Sequence, residues 1–236
     1  MSLADRVSER RFLLLFISLA LLLTAYPVID HGSTARLTFQ ACFELVILSG
    51  LFAMRRSRLW LLVGLSLVVP AIAVFWIATL FPDSALRSIA VESASNWALG
   101  LYLFQLVVFV LRDLFSSPEV TNDRLFGSLS AYILLGVAWG FLYTGLELAI
   151  PGSFRMGEGL GSIAAPTVQG PAERPSDLFY FSFVTLTTLG YGDISPVRPF
   201  AQMLVMWEAI LGQAYLTILV ARLVGLHISQ HASRSS

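Results

Sequence analysis

The chain alternates long apolar stretches with short polar ones. A helix that crosses a bilayer needs about 17 to 25 mostly apolar residues, and six stretches meet that length. We therefore predict six transmembrane helices and, between the last two, a seventh helix at 177–187 that is too short to span. The six predicted spans are residues 12–29, 37–54, 59–81, 88–111, 125–150 and 199–226.

Composition supports an all-α integral membrane protein. Hydrophobic residues make up 56% of the 236, charged residues 13%, and the mean hydropathy is +0.76. The net charge is zero and there is no basic run, so nucleic-acid binding is not expected. Cys42 is the single cysteine, which excludes an intramolecular disulfide and a cysteine-based metal site. No zinc motif, nucleophile elbow or P-loop occurs, so we predict neither an enzyme nor a cofactor.

The arginines predict the orientation of the chain. With the N-terminus inside, the predicted cytoplasmic segments carry 10 of the 15 basic residues, all of which are arginine. Because cytoplasmic loops are enriched in basic residues, this distribution favours six spans with both termini in the cytoplasm. It also places the residues after the short helix near the outer face.

A glycine-containing motif follows the short helix. Rings of backbone carbonyls can replace the water shell of a dehydrated cation. A strand can aim all its carbonyls at one axis when alternate residues are left-handed, and Gly190 and Gly192 have that spacing. We expect Thr188 to add a hydroxyl at the inner end, Tyr191 to point back into the surrounding helices, and Asp193 to place negative charge at the outer mouth. A simple turn between helices is the alternative for such a run.

The segment from Phe179 to Pro196, which includes Thr188-Leu189-Gly190-Tyr191-Gly192-Asp193, resembles the pore signature of potassium channels. The resemblance covers residues 125–228 and is to six-span, bacterial-type channels with a single pore loop per subunit, related to the two-span ion channel pore domain. It implies a homotetramer that holds K⁺ at four filter positions. The common family pattern has Val where this chain has Leu189, so we expect more crowded packing behind the filter. The implied K⁺ positions are Thr188, Leu189, Gly190 and Tyr191.

The predicted spans divide the chain into two parts, and the resemblance lies in the second. Residues 1–115 form a four-span N-terminal transmembrane bundle, and residues 116–236 form a two-span pore domain. Because glycine and proline are frequent in 151–176, that segment is predicted to be an extracellular loop without regular structure. Within the pore domain we expect an outer helix at 125–150, the loop at 151–176, a re-entrant pore helix at 177–187, the filter at 188–193 and an inner helix at 199–226.

Glu208 is a candidate support for the filter. A carboxylate inside a span is a functional candidate by default. It lies level with the pore helix and can bond the hydroxyls of Thr185 or Thr187. The alternative is a carboxylate satisfied by a neighbouring helix, with no effect on conduction.

The inner helix carries candidate gating residues. Gly212 occupies the family's hinge position, although a glycine here also suits close helix packing. Leu216, Val220 and Val224 share one helical face and can form an apolar ring near the cytoplasmic mouth that gates by dewetting. The same three residues suit ordinary helix packing equally well.

These features predict a potassium-selective channel that conducts K⁺ passively across a cell membrane, expected to be a bacterial inner membrane. The fourth span has no arginine in its interior, so we expect weak voltage dependence. About ten residues follow the last span, too few for a soluble ligand-binding domain. The partners expected are three further copies of the chain, the lipid bilayer and K⁺. The alternatives are a poorly selective cation channel, if Leu189 distorts the filter, and a non-conducting regulatory subunit.

Overall fold

The computed structural model describes residues 11–25, 33–55, 57–80, 88–116, 121–156 and 175–232. These residues form helices and one small two-stranded sheet. In chain order the elements are α1 (Arg11–Ala25), α2 (Ser33–Met54), α3 (Arg58–Leu80), α4 (Ile89–Phe115), α5 (Asn122–Ala149), β1 (Phe154–Met156), α6 (Pro175–Leu186), β2 (Ile194–Pro196) and α7 (Pro199–Ala232).

The described parts of the six predicted spans lie in helices α1 to α5 and α7. Residues 26–29, at the end of the first predicted span, lie outside the described residues. Four described helices are long and apolar enough to cross a membrane: Arg58–Ile77, Ile89–Phe115, Asn122–Ala149 and Pro199–Arg222. The apolar segments Arg11–Ala25 and Gln40–Met54 are shorter. The helices thus fit an integral membrane protein.

The start of α1 is fixed to α4 and α5 by charge. The amides of Phe12 and Leu13 both donate to one carboxylate oxygen of Asp123, at 3.1 and 3.0 Å. A carboxylate at a helix N-terminus satisfies amides that lack a partner within the helix and interacts favourably with the helix dipole. Arg11 also pairs with Asp113 at 2.5 Å. The first helix is therefore anchored to the second half of the chain.

Helix α5 lies at the centre of the packing. It carries a glycine pair, Gly136 and Gly140, whose surfaces face two aromatic rings of α6. A Cβ added at Gly136 would lie 2.6 Å from the ring of Phe183, and one added at Gly140 would meet the ring of Phe179. The absence of side chains at this spacing lets two helices approach closely. The glycine pair thus sets how near α6 lies to α5.

The small sheet corrects the prediction that 151–176 lacks regular structure. β1 pairs antiparallel with β2, with Arg155 opposite Ser195. Phe154 is 5% exposed and its ring lies 5.2 Å from that of Tyr143 and 5.4 Å from that of Phe181. Burial of this aromatic side chain holds β1 against the helices. The remainder of that predicted loop, residues 157–174, lies outside the described residues.

Candidate functional site

The backbone of the segment after α6 has an alternating conformation. Thr188, Gly190 and Gly192 have φ values of 61°, 58° and 78°, and no other described residue between Pro175 and Ala232 has a positive φ. A threonine in the left-handed region is uncommon, because its Cβ crowds the backbone there. The alternation of left-handed residues expected for the two glycines therefore also includes Thr188. Alternation of this kind lets successive carbonyls point toward one side of the strand.

The same segment is hydrogen-bonded to the end of α6. The amide of Thr188 donates to the carbonyl of Thr185 at 2.9 Å. The amides of Leu189 and Gly190 both donate to the carbonyl of Val184, at 2.9 and 3.2 Å. Carbonyls at a helix C-terminus lack partners within the helix. The amides of the strained segment thus supply donors to carbonyls at the end of α6, and these hydrogen bonds hold the segment in place.

Two large side chains of the segment, Leu189 and Tyr191, do not pack within their own chain. Leu189 is 56% exposed and Tyr191 is 66% exposed. The ring of Tyr191 is uncovered in the single chain, so the expectation that it points back into the surrounding helices of an assembled channel stays a prediction. The crowded packing expected behind Leu189 likewise stays a prediction.

Glu208 is buried between three helices. Its two carboxylate oxygens accept hydrogen bonds from the hydroxyls of Ser182 on α6 and Tyr143 on α5, each at 2.5 Å. Ser182 also lies 2.7 Å from the carbonyl oxygen of Gly136. All three side chains of this cluster, Glu208, Ser182 and Tyr143, are 0% exposed. A buried carboxylate needs such partners, since an unpaired charge away from water is costly.

The predicted partners of Glu208 were wrong. Thr187 directs its hydroxyl to the carbonyl of Phe183 in its own helix, at 2.7 Å. Thr187 is exposed and Thr185 is half-buried, whereas Ser182 lies fully buried one turn earlier on α6. The helix face that meets Glu208 is therefore the one that carries Ser182.

Asp193 is held at the far end of the segment. Its carboxylate accepts a hydrogen bond from the hydroxyl of Tyr180 on α6 at 2.8 Å and one from the amide of Ile194 at 3.0 Å. The hydrogen bond to Asp193 raises the pKa of Tyr180. The sequence did not predict Tyr180 as the partner of Asp193, from which it is separated by 13 residues along the chain.

A second carboxylate shapes the turn beside β1. Glu147, 3% exposed at the end of α5, accepts hydrogen bonds from the amides of Gly152 at 2.7 Å and Phe154 at 3.0 Å. Gly152 has a φ of 78°. The carbonyl of Ser153 in the same turn accepts the amide of Val197, which follows β2, at 2.8 Å. The end of α5 is thus connected to the residues that follow Asp193.

The inner-helix candidates lie in different environments. Gly212 is buried, and a Cβ there would lie 2.8 and 2.9 Å from a methyl and the carbonyl oxygen of Leu186. Helix α7 also runs without a break from Pro199 to Ala232, so this conformation favours the close-packing interpretation of Gly212 over a bend. Leu216 packs against the core of its own chain, while Val220 is 57% exposed. The side chain of Val224 lies outside the described residues.

Several contacts of the site were not found from the sequence. Tyr132, Tyr143 and Ser182 are polar groups on apolar helices, and their partners lie 26 to 65 residues away in the chain. The glycine pair Gly136 and Gly140 has the spacing of a helix-packing motif, which is the one signal that predicts the close approach of α6. Among the described residues, no group of three or more His, Cys, Asp or Glu side chains can hold a metal ion.

Comparison with known proteins points to ion transport. A family model described as an ion channel matches residues 161–227. The chain is also 30% identical over 105 residues to two pore potassium channel c of Oryza sativa subsp. japonica. That alignment covers 44% of this chain and 19% of the relative, so the chain spans about a fifth of that protein's length. No solved structure matches the chain significantly.

The region that matches the ion-channel model contains α6, the 188–193 segment and most of α7. Together with the apolar helices, the two matches indicate a multi-pass membrane protein of the ion-channel type rather than an enzyme. They support a relationship to potassium channels.

Proposed function

We propose that the protein is a potassium-selective channel that conducts K⁺ passively, with residues 188–193 as its selectivity filter. The observation that carries the proposal is the alternation of left-handed backbone at Thr188, Gly190 and Gly192. Carbonyls that face one axis can replace the hydration shell of K⁺. Thr188, Leu189, Gly190 and Tyr191 would supply these oxygens, and Asp193 the negative charge at the outer mouth.

The working unit in this proposal is a homotetramer. One chain supplies one strand of carbonyls, and a closed ring needs several strands around an axis. The exposed side chains of the filter segment and of α7 support this assembly. Tyr191, Trp207 and Ile210 are 66%, 53% and 57% exposed in the single chain. Single exposed apolar residues need no partner, but several large ones on the same part of a chain favour an interface. Three further copies of the chain would cover these side chains.

The proposed membrane topology has six spans, with α6 as a re-entrant pore helix. α6 has 12 residues, too few to cross a bilayer, and its C-terminal end meets the filter. That end carries the negative pole of the helix dipole, which favours a cation in front of it. Both termini are placed in the cytoplasm by the arginine distribution. The first 115 residues form the four-span bundle, and the pore domain follows.

The channel is proposed to respond weakly to voltage. A sensor needs several charges inside one span, because each elementary charge moved through the field contributes about 2.3 kcal/mol per 100 mV. In α4 the basic residue is Arg112, close to the end of the helix at Phe115. A single terminal arginine moves little charge across the field.

The test is the reversal potential of the purified full chain in planar bilayers under opposed K⁺ and Na⁺ gradients. A reversal near the K⁺ equilibrium potential supports the proposal. A reversal near zero favours the poorly selective alternative, and an absence of current contradicts conduction by this chain alone.

Two glycine variants make the test specific to the filter. At Gly190, φ is 58° and no atom lies within 4 Å of an added Cβ, so Gly190→Ala strains the backbone without a clash. Gly152→Ala is a matched control, because φ is 78° and the surroundings are equally open. Each substitution costs roughly 1–2 kcal/mol of local strain per chain. We expect Gly190→Ala to lose K⁺ selectivity and Gly152→Ala to retain it.

A further inference from the structure

The last carbonyl of α6 has an unusual acceptor environment. The amides of residues 187 to 190 donate to the carbonyls of Phe183, Thr185 and Val184. None of these four amides donates to the carbonyl of Leu186. The hydroxyl of Tyr132 on α5 donates to it at 3.2 Å. Leu186 lies two residues before Thr188. The hydroxyl of Tyr132 therefore satisfies the backbone group closest to the inner end of the proposed filter.

Helix α7 also lies close to the carbonyl of Leu186. The Cα of Gly212 approaches so closely that an added Cβ would lie 2.9 Å from the carbonyl oxygen of Leu186. Three residues further on, Tyr215 packs its ring 5.6 Å from the ring of Tyr132. Tyr132 and Tyr215, hereafter the tyrosine pair, thus join the inner helix to the residue that anchors the end of α6.

The tyrosine pair is also linked through the backbone of α5. The hydroxyl of Tyr215, which is 8% exposed, donates to the carbonyl of Ser128. In an α-helix the carbonyl of residue 128 is the acceptor for the amide of residue 132. Tyr215 therefore bonds to the same peptide group that holds the backbone of Tyr132.

We propose that Tyr132 is a positioning residue that couples the inner helix to the selectivity filter. A displacement of α7 at Tyr215 moves the Tyr215 ring that packs on Tyr132 and the Ser128 carbonyl that accepts the amide of Tyr132. That movement changes the hydrogen bond to Leu186 and so the position of Thr188. The inference rests on the proposed channel function and adds a route by which the cytoplasmic half of α7 influences ion selectivity. Tyr215 has this effect without contacting the filter.

The experiment compares tyrosine-to-phenylalanine variants of the full chain in planar bilayers. Tyr132→Phe and Tyr215→Phe each remove one hydroxyl and keep the ring. Tyr102→Phe is the matched control, because the hydroxyl of Tyr102 is buried and donates to the carbonyl of Ile47 at 3.0 Å, within the N-terminal bundle. The measured quantity is the K⁺ to Na⁺ permeability ratio. The free energy of unfolding is measured for each variant in mixed micelles.

We expect Tyr132→Phe and Tyr215→Phe each to lower the permeability ratio about fivefold, the equivalent of one net hydrogen bond. The double variant should be no worse than the single variants, since both act on one route. All three single variants should lose similar stability, while Tyr102→Phe keeps the wild-type ratio. A structural role alone would leave the ratio unchanged in every stable variant.

The failures of the two proposals are distinguishable. If the wild-type chain passes no K⁺-selective current, the proposed function fails. If the wild-type chain is selective and Tyr132→Phe behaves like Tyr102→Phe, the coupling through Tyr132 is overturned. Fully additive effects of Tyr132→Phe and Tyr215→Phe would also overturn it, because they would indicate two independent sites.

Discussion

Replacement of Glu208 by alanine should destabilise the protein by about 3 kcal/mol. The carboxylate is 0% exposed and accepts two short hydrogen bonds, from Tyr143 and Ser182. Without it, the hydroxyl of Tyr143 loses its acceptor, which costs roughly 1–3 kcal/mol for a buried group. Ser182 is less affected, because the carbonyl of Gly136 lies 2.7 Å from its hydroxyl. The lost side-chain volume adds about 1 kcal/mol as an unfilled space.

A double-mutant cycle separates the hydrogen bond from the general cost of the substitution. In the wild-type background, Tyr143→Phe should cost about 1.5 kcal/mol, since it removes a bond to a carboxylate. In the Glu208→Ala background the same change should instead recover roughly 1–3 kcal/mol, because it removes a buried hydroxyl that already lacks its acceptor. The expected coupling energy, the difference between the two costs, is therefore about 2.5–4.5 kcal/mol. The assay is equilibrium unfolding of the full chain in mixed micelles, followed by intrinsic fluorescence.

The control for this cycle is Tyr102→Phe, which should cost the same in both backgrounds because Tyr102 bonds to Ile47. Equal costs of Tyr143→Phe in the two backgrounds would refute the argument. The same variants recorded in bilayers decide between the two interpretations of Glu208. A stability loss with an unchanged K⁺ to Na⁺ permeability ratio would show that the carboxylate serves packing alone.

Three further predictions concern residues around the site. Gly136→Ala should destabilise the chain by about 1–3 kcal/mol, because its Cβ would lie 2.6 Å from the ring of Phe183, and Phe183→Leu should recover part of that loss in micelle unfolding. The hydrogen bond to Asp193 raises the pKa of Tyr180, so the stability that this bond contributes is present below about pH 10 and is lost as the pH rises through the raised pKa. Bilayer currents should therefore change above about pH 10 in the wild-type chain but not in Tyr180→Phe. Glu147→Gln replaces one acceptor oxygen by a donating NH2 group, so one of the two turn amides should lose its acceptor, at a cost of about 1–2 kcal/mol of unfolding free energy and with little change in selectivity.

Much of the architecture follows from local sequence. The apolar stretches predict the helices because a helix satisfies its own backbone in a bilayer, which makes length and hydropathy sufficient signals. The short helix predicted at 177–187 is observed at Pro175–Leu186. The glycine spacing at Gly190 and Gly192 also predicts the observed left-handed dihedrals, since glycine is the residue that adopts them readily.

Other features are not readable from neighbouring residues. Thr188 adopts a left-handed φ although its type disfavours it, because bonds to the end of α6 hold it there. β1 forms in a segment rich in turn residues because Phe154 is buried against α5 and α6. In both cases contacts made by other elements outweigh the local preference.

The sequence by itself determined the membrane class, the approximate helix bounds and the motif at 188–193, because these depend on composition and spacing along one segment. Only the tertiary structure decided the partners of Glu208 and the contacts of the tyrosine pair. Those depend on the rotation of each helix about its axis, and a rotation of one residue, about 100°, exchanges Ser182 for a neighbour. The physical reason is that partners 26 and 65 residues apart are brought together by packing, which no single segment encodes.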